Sequence, residues 1–370
     1  MHTALVNFPL APAGLAPDEV LTRWPSLRDI AEIVASAGTR VTVVQMAEAD
    51  ARIQRDGIDY RFIDARGMRG ARHLGRRVAH ALAEIGVDLV HVHGLGFARH
   101  ASSLRRHLPG PPILIQDHAD GAPRGWRRLA WRGWYRAASA VAFTSLAQAA
   151  PFAPLLDRRT HIYAIAESTS RFTPGDREAA RGACGLHGDP CIVSVGHLAA
   201  GKDPLTMLDG VARAVERLPG LQLWCAFGTA PLLDKVRERI AGDERLAERV
   251  HLLGRVPHAE IEQFMRSADL FVSASLAEGA GYSLLEAMAC GAVPVVTDIP
   301  AFREVTGGGQ VGRLWPPGDA AAFGEALVAA AYTAADRRAV REHFDATLSF
   351  SALGRQWASA YASLLGEDRA

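Results

Sequence analysis

The sequence predicts an α/β protein built from two Rossmann-like domains. Three observations carry this. The chain has 370 residues, 49% of them hydrophobic, which is too long for one comfortable core. Short apolar runs alternate with longer amphipathic ones, the pattern of a parallel sheet covered by helices. A less regular segment rich in Ser, Thr, Gly, Asp and Pro, running from Ala166 through Pro174 to Pro190, interrupts the alternation, which then resumes. The linker is placed at the start of that segment. The expected domains are residues 1–170 and 171–350, followed by a terminal helical segment, 351–370.

Each element follows in order. Thr3–Phe8 reads as a first strand, followed by strands at Val41–Val44, Tyr60–Ile63, Leu89–His93, Ile113–Gln116, Ala140–Thr144 and His161–Ala164. Helical patterns at Leu27–Ala37, Leu74–Ile85 and Trp126–Ala138 lie between them. In the second half, strands are expected at Cys191–Val195, Leu221–Ala226, Val250–Leu253, Leu270–Ser273 and Val293–Thr297. Helices are expected at Pro204–Arg217, His258–Ser267, Tyr282–Cys290, Ala320–Thr333 and Ser351–Leu365.

Composition narrows the function. With 41 basic and 40 acidic residues the net charge is +1, so nucleic acid is not an expected partner. Cys184, Cys191, Cys225 and Cys290 form no CxxC pair, which favours reduced thiols over a disulfide frame or zinc site. The first strand lacks a basic leader, and no apolar stretch reaches the length of a bilayer span. The expected localisation is cytoplasmic, with peripheral attachment at the inner membrane surface left open.

The chemistry concentrates between Asp269 and Gly291, which reads as strand, glycine-bearing loop, helix and glycine stop. Gly291 is placed to end the helix in a left-handed cap. Gly279 and Gly281 allow close backbone approach to a ligand. The amides of Gly281, Tyr282 and Ser283 should point out of the helix N-terminus, where the dipole favours an anion such as a diphosphate. Parallel sheets bind ligands at the carboxyl ends of their strands, where this loop lies. Glu278 and Glu286 flank the anion site, and carboxylates accept hydrogen bonds from hydroxyls. An anion cradle beside hydroxyl acceptors suits a nucleotide sugar. A solvated helix face is the bland alternative for Glu286, but this residue sits between Leu285 and Ala287 in a helix apolar nearly all round. A second piece, Val193 to Pro204, ends a strand at Gly196 and delivers Lys202 before the next helix. Lys202 could neutralise a departing diphosphate, although such a lysine is often just part of a solvated turn.

These residues carry a family resemblance. Glu278 and Glu286 have the spacing of the E-x7-E motif, and the segment resembles that of the retaining glycosyltransferases of family 4, which have the GT-B fold. Gly196–Lys202 is similar to that family's phosphate-contacting G-R-L-x-x-x-K loop. Leu253–Pro257 with Glu260–Asp269 resembles its base-binding turn and helix. Pro294–Thr297 and Gly312–Pro316 resemble its later strands. The likeness is close over the C-terminal half and loose over the N-terminal half. It implies two domains facing across a cleft, with the C-terminal helix crossing back to the first. It implies that Glu278 contacts the donor sugar, Glu286 the ribose and Lys202 the diphosphate, with His197, Arg255, Val256, Ala280, Gly281, Tyr282 and Ser283 completing the donor site. It further implies front-face transfer with retention and no required metal or cofactor.

His118 follows the Ile113–Gln116 strand, and a histidine near this place in the family lies beside the donor sugar. A surface histidine bonded locally by Asp117 or Asp120 is an equal reading. The chain departs from the family at three points. His197 stands where Arg is usual, which makes that charge pH-dependent. The Pro9–Pro17 loop has one glycine, Gly14, where paired glycines are common. The linker lacks the usual Pro-Asn-Gly turn.

The expected reaction moves a hexose-type sugar from a nucleotide-diphosphate donor, UDP ahead of GDP, to a hydroxyl of a glycan, lipid-linked or small-molecule acceptor. A nucleotide-sugar epimerase of the same fold and a non-catalytic sugar-nucleotide-binding relative are the rival readings. Other signals carry less. Gly307–Gly312 matches G-x-G-x-x-G by letter but precedes a strand. Gly94-Leu95-Gly96 lacks a third glycine. His91 and His93 share a strand face without a third metal ligand. No Asp-x-Asp occurs, which argues against a metal-dependent GT-A transferase. Residues 66–136 hold thirteen arginines against four acids. The 124–136 part, where Trp126, Trp131, Trp134 and Tyr135 interleave with arginines, could rest on an anionic membrane. An ordinary helix with aromatics facing the sheet is the preferred reading there.

Overall fold

The computed structural model describes residues 1–68, 70–118, 120–332 and 337–366. Arg69 of the arginine-rich stretch, Thr333 at the end of an expected helix, and residues 367–370 of the terminal segment lie outside the described residues. The chain divides into two compact units, Met1–Ser168 with Phe350–Ala370, and Thr169–Ser349.

The first unit has eight strands: β1 (His2–Leu10), β2 (Arg40–Ala47), β3 (Ala51–Arg55), β4 (Ile58–Asp64), β5 (Leu89–His93), β6 (Ile113–Gln116), β7 (Ala140–Phe143) and β8 (His161–Ala164). They form one sheet in the order β3-β4-β2-β1-β5-β6-β7-β8. The named partners are parallel, except that β3 runs antiparallel to β4. Apolar residues pack on both faces, as a sheet buried on both sides requires. β3 is not among the expected strands. Its ARIQR sequence is charged and mostly exposed, as suits an edge. The signal for it is Asp56-Gly57, both at positive φ, the two-residue turn that pairs Arg55 with Ile58.

The terminal helix Phe350–Leu365 belongs to this first unit and buries Leu353, Trp357 and Tyr361. Gly354 lets it lie against helix Pro25–Ala35, since a Cβ there would stand 2.5 Å from the Ile33 carbonyl oxygen. The Tyr361 hydroxyl bonds His91 Nδ1 at 2.7 Å.

The second unit has β9 (Cys191–Gly196), β10 (Gln222–Phe227), β11 (Val250–Gly254), β12 (Leu270–Ser273), β13 (Val293–Thr297) and β14 (Arg313–Trp315). Their order is β11-β10-β9-β12-β13-β14, and every pairing is parallel. Because β9 neighbours β12, the chain leaves the sheet in opposite directions from two adjacent strands. That opens a crevice at their carboxyl ends. The segment before β9 is less irregular than expected. It holds helix Arg177–Cys184, capped by Asp176, which accepts from the Ala179 amide at 2.7 Å, and closed by Gly185 in the left-handed conformation. All four cysteines are free. Burial pushes the Cys191, Cys225 and Cys290 thiols up to about 12.

Candidate functional site

The loops after β9 and β12 line one cavity of about 270 Å³, which holds His197, Lys202, Glu278, Gly281, Tyr282, Ser283 and Glu286. The first loop leaves β9 at Gly196 and makes a 3₁₀ turn over Ala200–Lys202. Asp203 follows at φ +43, a left-handed position that aspartate tolerates better than most residues, and caps helix Pro204–Ala214. The Gly201 carbonyl accepts from the Leu276 amide at 2.9 Å, so the two loops are tied together beside Lys202.

Glu278 is the hub of the second loop. Its Oε1 accepts from the Ser275 hydroxyl at 2.7 Å and pairs with the Lys202 ammonium. The Ser275 and Ser273 hydroxyls are 3.0 Å apart, and Thr297 at the end of β13 donates to the Ser275 carbonyl at 2.6 Å. Three hydroxyl residues of adjacent strand ends therefore aim the carboxylate. The Lys202 and Glu278 side chains are 30% and 18% exposed. A pair so placed contributes at most about 1 kcal/mol, so an anionic ligand can draw the lysine away at little cost.

Gly281 is the N-cap of helix Tyr282–Ala289, at φ +67. A Cβ there would meet Phe302 at 3.0 Å in a backbone conformation that side chains avoid. With no capping side chain, the helix presents its N-terminus to the cavity. The other end closes as expected. Gly291 is left-handed, its amide bonds the Met288 carbonyl, and the Ala292 amide bonds the Ala287 carbonyl, both at 2.9 Å.

Glu286 is largely buried, with its side chain 16% exposed. Burial pushes its carboxyl above the ordinary value, and a hydrogen bond with His258 opposes that shift. With Glu286 ionised, His258 Nε2–H donates to Oε1 at 2.6 Å. The His258 ring lies against Phe172, with centroids 5.2 Å apart. Ser273, Ser275, Thr297 and His258 are functional candidates not expected from the sequence. The alternation of β12 onto Ser275 is the one signal for them.

His197 lies in the cavity wall, but as a neutral donor. The Thr229 amide donates to its Nδ1 at 3.1 Å, which requires that nitrogen to be unprotonated and leaves the ring proton on Nε2. Three expected donor residues are not among the cavity's lining. Ala280 is buried in the loop. Arg255 and Val256 follow β11, whose Gly254 pairs with the cavity-lining Ala226 of β10, so they stand one strand spacing, roughly 5 Å, beyond the lining.

His118 lies in the first unit, in a separate cavity of about 370 Å³ at the carboxyl ends of β1, β2, β5 and β6. Its Nε2 bonds His93 Nδ1 at 3.1 Å, and its Nδ1 stands 3.6 Å from Glu167. Among the described residues no hydrogen bond joins it to Asp117 or Asp120, although Asp117 interacts with it electrostatically. Asp120 instead accepts from the Leu95 amide at 2.6 Å. His93 stacks on His91 at 4.5 Å. Burial lowers His91 to about 3 and His93 well below its ordinary value, so both are neutral. Among the described residues no group of three or more metal-ligating side chains comes together.

Residues 189–331 match the family model described as Glycosyl transferases group 1. The chain is 36% identical over 150 residues to the phosphatidyl-myo-inositol mannosyltransferase of Mycobacterium leprae, covering 36% of this chain and 39% of that protein. It is 33% identical over 202 residues to the D-inositol 3-phosphate glycosyltransferase of Mycobacteroides abscessus, covering 52% and 42%. The matches thus span about two-fifths of these curated relatives. Among solved structures, sucrose-phosphate synthase from Thermosynechococcus elongatus superposes with a TM-score of 0.69 at 20% identity, over 99% of both chains. Anabaena Alr3699/HepE in complex with UDP and glucose superposes with a TM-score of 0.65 at 19% identity, over 98% and 99%. The second unit is therefore similar in sequence to group 1 glycosyl transferases, and the whole chain has the fold of these solved structures.

Proposed function

We propose that this protein is a retaining glycosyltransferase of family 4 that moves a hexose-type sugar from a nucleotide-diphosphate donor, UDP ahead of GDP, to a hydroxyl acceptor. One observation carries the reading. A lysine, a helix N-terminus and two carboxylates converge on one cavity at the β9/β12 crevice. That set matches the parts of a nucleotide sugar: anion, sugar hydroxyls and ribose hydroxyls. The solved complex of HepE with UDP and glucose, and the inositol glycosyl- and mannosyltransferases among the relatives, support it.

In this mechanism the donor diphosphate takes Lys202 from Glu278 and sits on the helix N-terminus at Gly281. His197 Nε2–H adds a neutral donor. Together these groups stabilise the negative charge that grows on the leaving diphosphate, with no metal assigned a role. Glu278, still held by Ser275, is freed to accept hydroxyls of the donor sugar, and Glu286 accepts those of the ribose. The acceptor, a glycan, lipid-linked or small hydroxyl compound, is assigned to the first unit's cavity beside His118.

The test is turnover of UDP- and GDP-hexoses by wild type and Glu278→Gln, with product configuration read by proton NMR. Transfer that keeps the donor's anomeric configuration, and a loss of about 10²-fold or more in Glu278→Gln, is the expected result. An inverted product removes retention. An epimerised nucleotide sugar without transfer makes the protein an isomerase. Equal turnover by the variant removes the role of Glu278.

The 124–136 segment adds a partner proposal. Trp131, Trp134 and Tyr135 do pack toward the core, as the ordinary-helix reading requires. Trp126 and Leu129, however, are 80% and 78% exposed among exposed Arg124, Arg127, Arg128 and Arg132. Apolar side chains set in a basic field suit an anionic lipid surface. Among the described residues no helix is long and apolar enough to cross a membrane.

A further inference from the structure

We infer that the first unit's cavity selects an uncharged acceptor, one with an apolar face beside its hydroxyl, and rejects phosphorylated polyols. This inference rests on the transferase reading for its biological meaning, but it is drawn from a different cavity. The two cavities differ in their cationic groups. The donor cavity is built around Lys202 and a helix N-terminus. The first unit's cavity has no lysine or arginine among its described lining residues, although the surrounding sequence is rich in arginine.

The walls are Pro9, Trp24, Leu27, Ile30 and Phe97. Pro9 is there because β1 runs on to Leu10 through a register shift after Asn7. The Gln45 side-chain amide fastens it, donating to the Pro9 carbonyl at 2.5 Å and to the Met46 carbonyl at 2.9 Å. The end of β1 is therefore a braced, apolar wall, and at Pro9 it has no backbone amide to offer an anion.

The floor is polar but not cationic. Gln45 is 1% exposed, with Oε1 lacking a hydrogen-bond partner. His93 is 6% exposed, and burial keeps it neutral. Its Nδ1 is already engaged with His118. His118 Nδ1 stands 3.6 Å from Glu167, and Asp120 adds a carboxylate. A phosphate here would lose its water, meet no lysine or arginine among the described lining residues and face a carboxylate. A neutral molecule with one hydroxyl toward the floor and an aromatic or aliphatic face toward Trp24 and Phe97 meets complementary chemistry throughout. The volume lies within the range of small-molecule sites.

The test is isothermal titration of the full chain, with UDP in excess to occupy the second unit's cavity, against phenyl β-D-glucopyranoside, octyl β-D-glucopyranoside, phenyl β-D-glucopyranoside 6-phosphate and myo-inositol 1-phosphate. Wild type, Trp24→Ala and Ser26→Lys are compared. Ser26 lines the mouth and is exposed, so a lysine there adds charge without disturbing the core. The neutral glycosides should bind at least about tenfold more tightly than either phosphate. Trp24→Ala should weaken them, and Ser26→Lys should narrow the gap by strengthening the phosphates. Phosphorylated probes that bind as tightly as the neutral ones, or neutral glycosides that do not bind, overturn the inference. Nucleotide-sugar turnover by the same preparation reads the transferase proposal separately. Turnover with no preference for neutral acceptors removes only the inference, and neutral binding without turnover removes only the transferase.

Discussion

Replacing Lys202 by alanine separates the proposed chemistry from mere structural support. In the ligand-free protein Lys202 pairs with Glu278, and both side chains keep contact with water, at 30% and 18% exposure. Solvent screening limits such a pair to about 0–1 kcal/mol. Glu278 loses little else, because Ser275 still donates to it. The melting temperature should therefore fall by no more than about 2–4 °C. The chemical step behaves differently. Lys202 is the one lysine among the described residues lining the cavity, and in the proposed mechanism its charge faces a leaving group that becomes more negative as the bond breaks. Removing one preorganised stabiliser of that kind costs about 3–4 kcal/mol, or 10²–10³ in turnover. The assay is nucleoside-diphosphate release on a UDP-sugar, with a thermal melt of the same sample. A variant that turns over within threefold of wild type refutes the role. So does one whose loss of activity is matched by loss of the fold.

Two further outcomes follow. Burial raises the Glu286 carboxyl, so its ionised form destabilises the folded state at pH values above its folded pKa and not below the ordinary carboxyl range. Glu286→Gln should raise the melting temperature at pH 7–8, lose that gain as the pH falls through the carboxyl range, and weaken UDP binding about tenfold; melts from pH 4 to 8 and a UDP titration check this. Trp126→Ser with Leu129→Ser should reduce co-sedimentation with phosphatidylserine vesicles at low salt by about tenfold and leave turnover of soluble substrates unchanged. Vesicle binding equal to wild type removes the membrane proposal.

The fold was legible where one physical signal dominated. The apolar runs that became β5, β6, β12 and β13 match their expected limits residue for residue, because strands buried on both faces have sharp ends in sequence; β8 matches too, although it is a largely exposed edge strand. β3 was hidden by its charged edge composition, and helix Arg177–Cys184 by the Gly and Pro around it. The loop after β12 was legible because Glu278, Gly281, Glu286 and Gly291 fall in one continuous segment whose spacing has local meaning. What it needs from elsewhere was not. Ser275 is steered by Thr297 across a strand boundary, and His258 reaches Glu286 from another helix. The mutual pairing of Lys202 and Glu278, 76 positions apart, exists only once β9 lies beside β12. The neutral tautomer of His197 depends on the Thr229 amide, a backbone contact that no side-chain pattern encodes. Arg255 and Val256 follow β11 at the sheet edge, next to the cavity-lining end of β10.

Binding of a nucleotide diphosphate sugar to the second unit's cavity is the central claim, and a thermal-shift series tests it most directly. Wild type and Lys202→Ala are melted with UDP, GDP, ADP and their hexose conjugates. At about one hundred times its dissociation constant the true donor should stabilise wild type by about 2.7 kcal/mol, with clearly less stabilisation of Lys202→Ala at the same concentration. If no nucleotide or nucleotide sugar raises the wild-type melting temperature, or if the variant responds as wild type does, the account is contradicted.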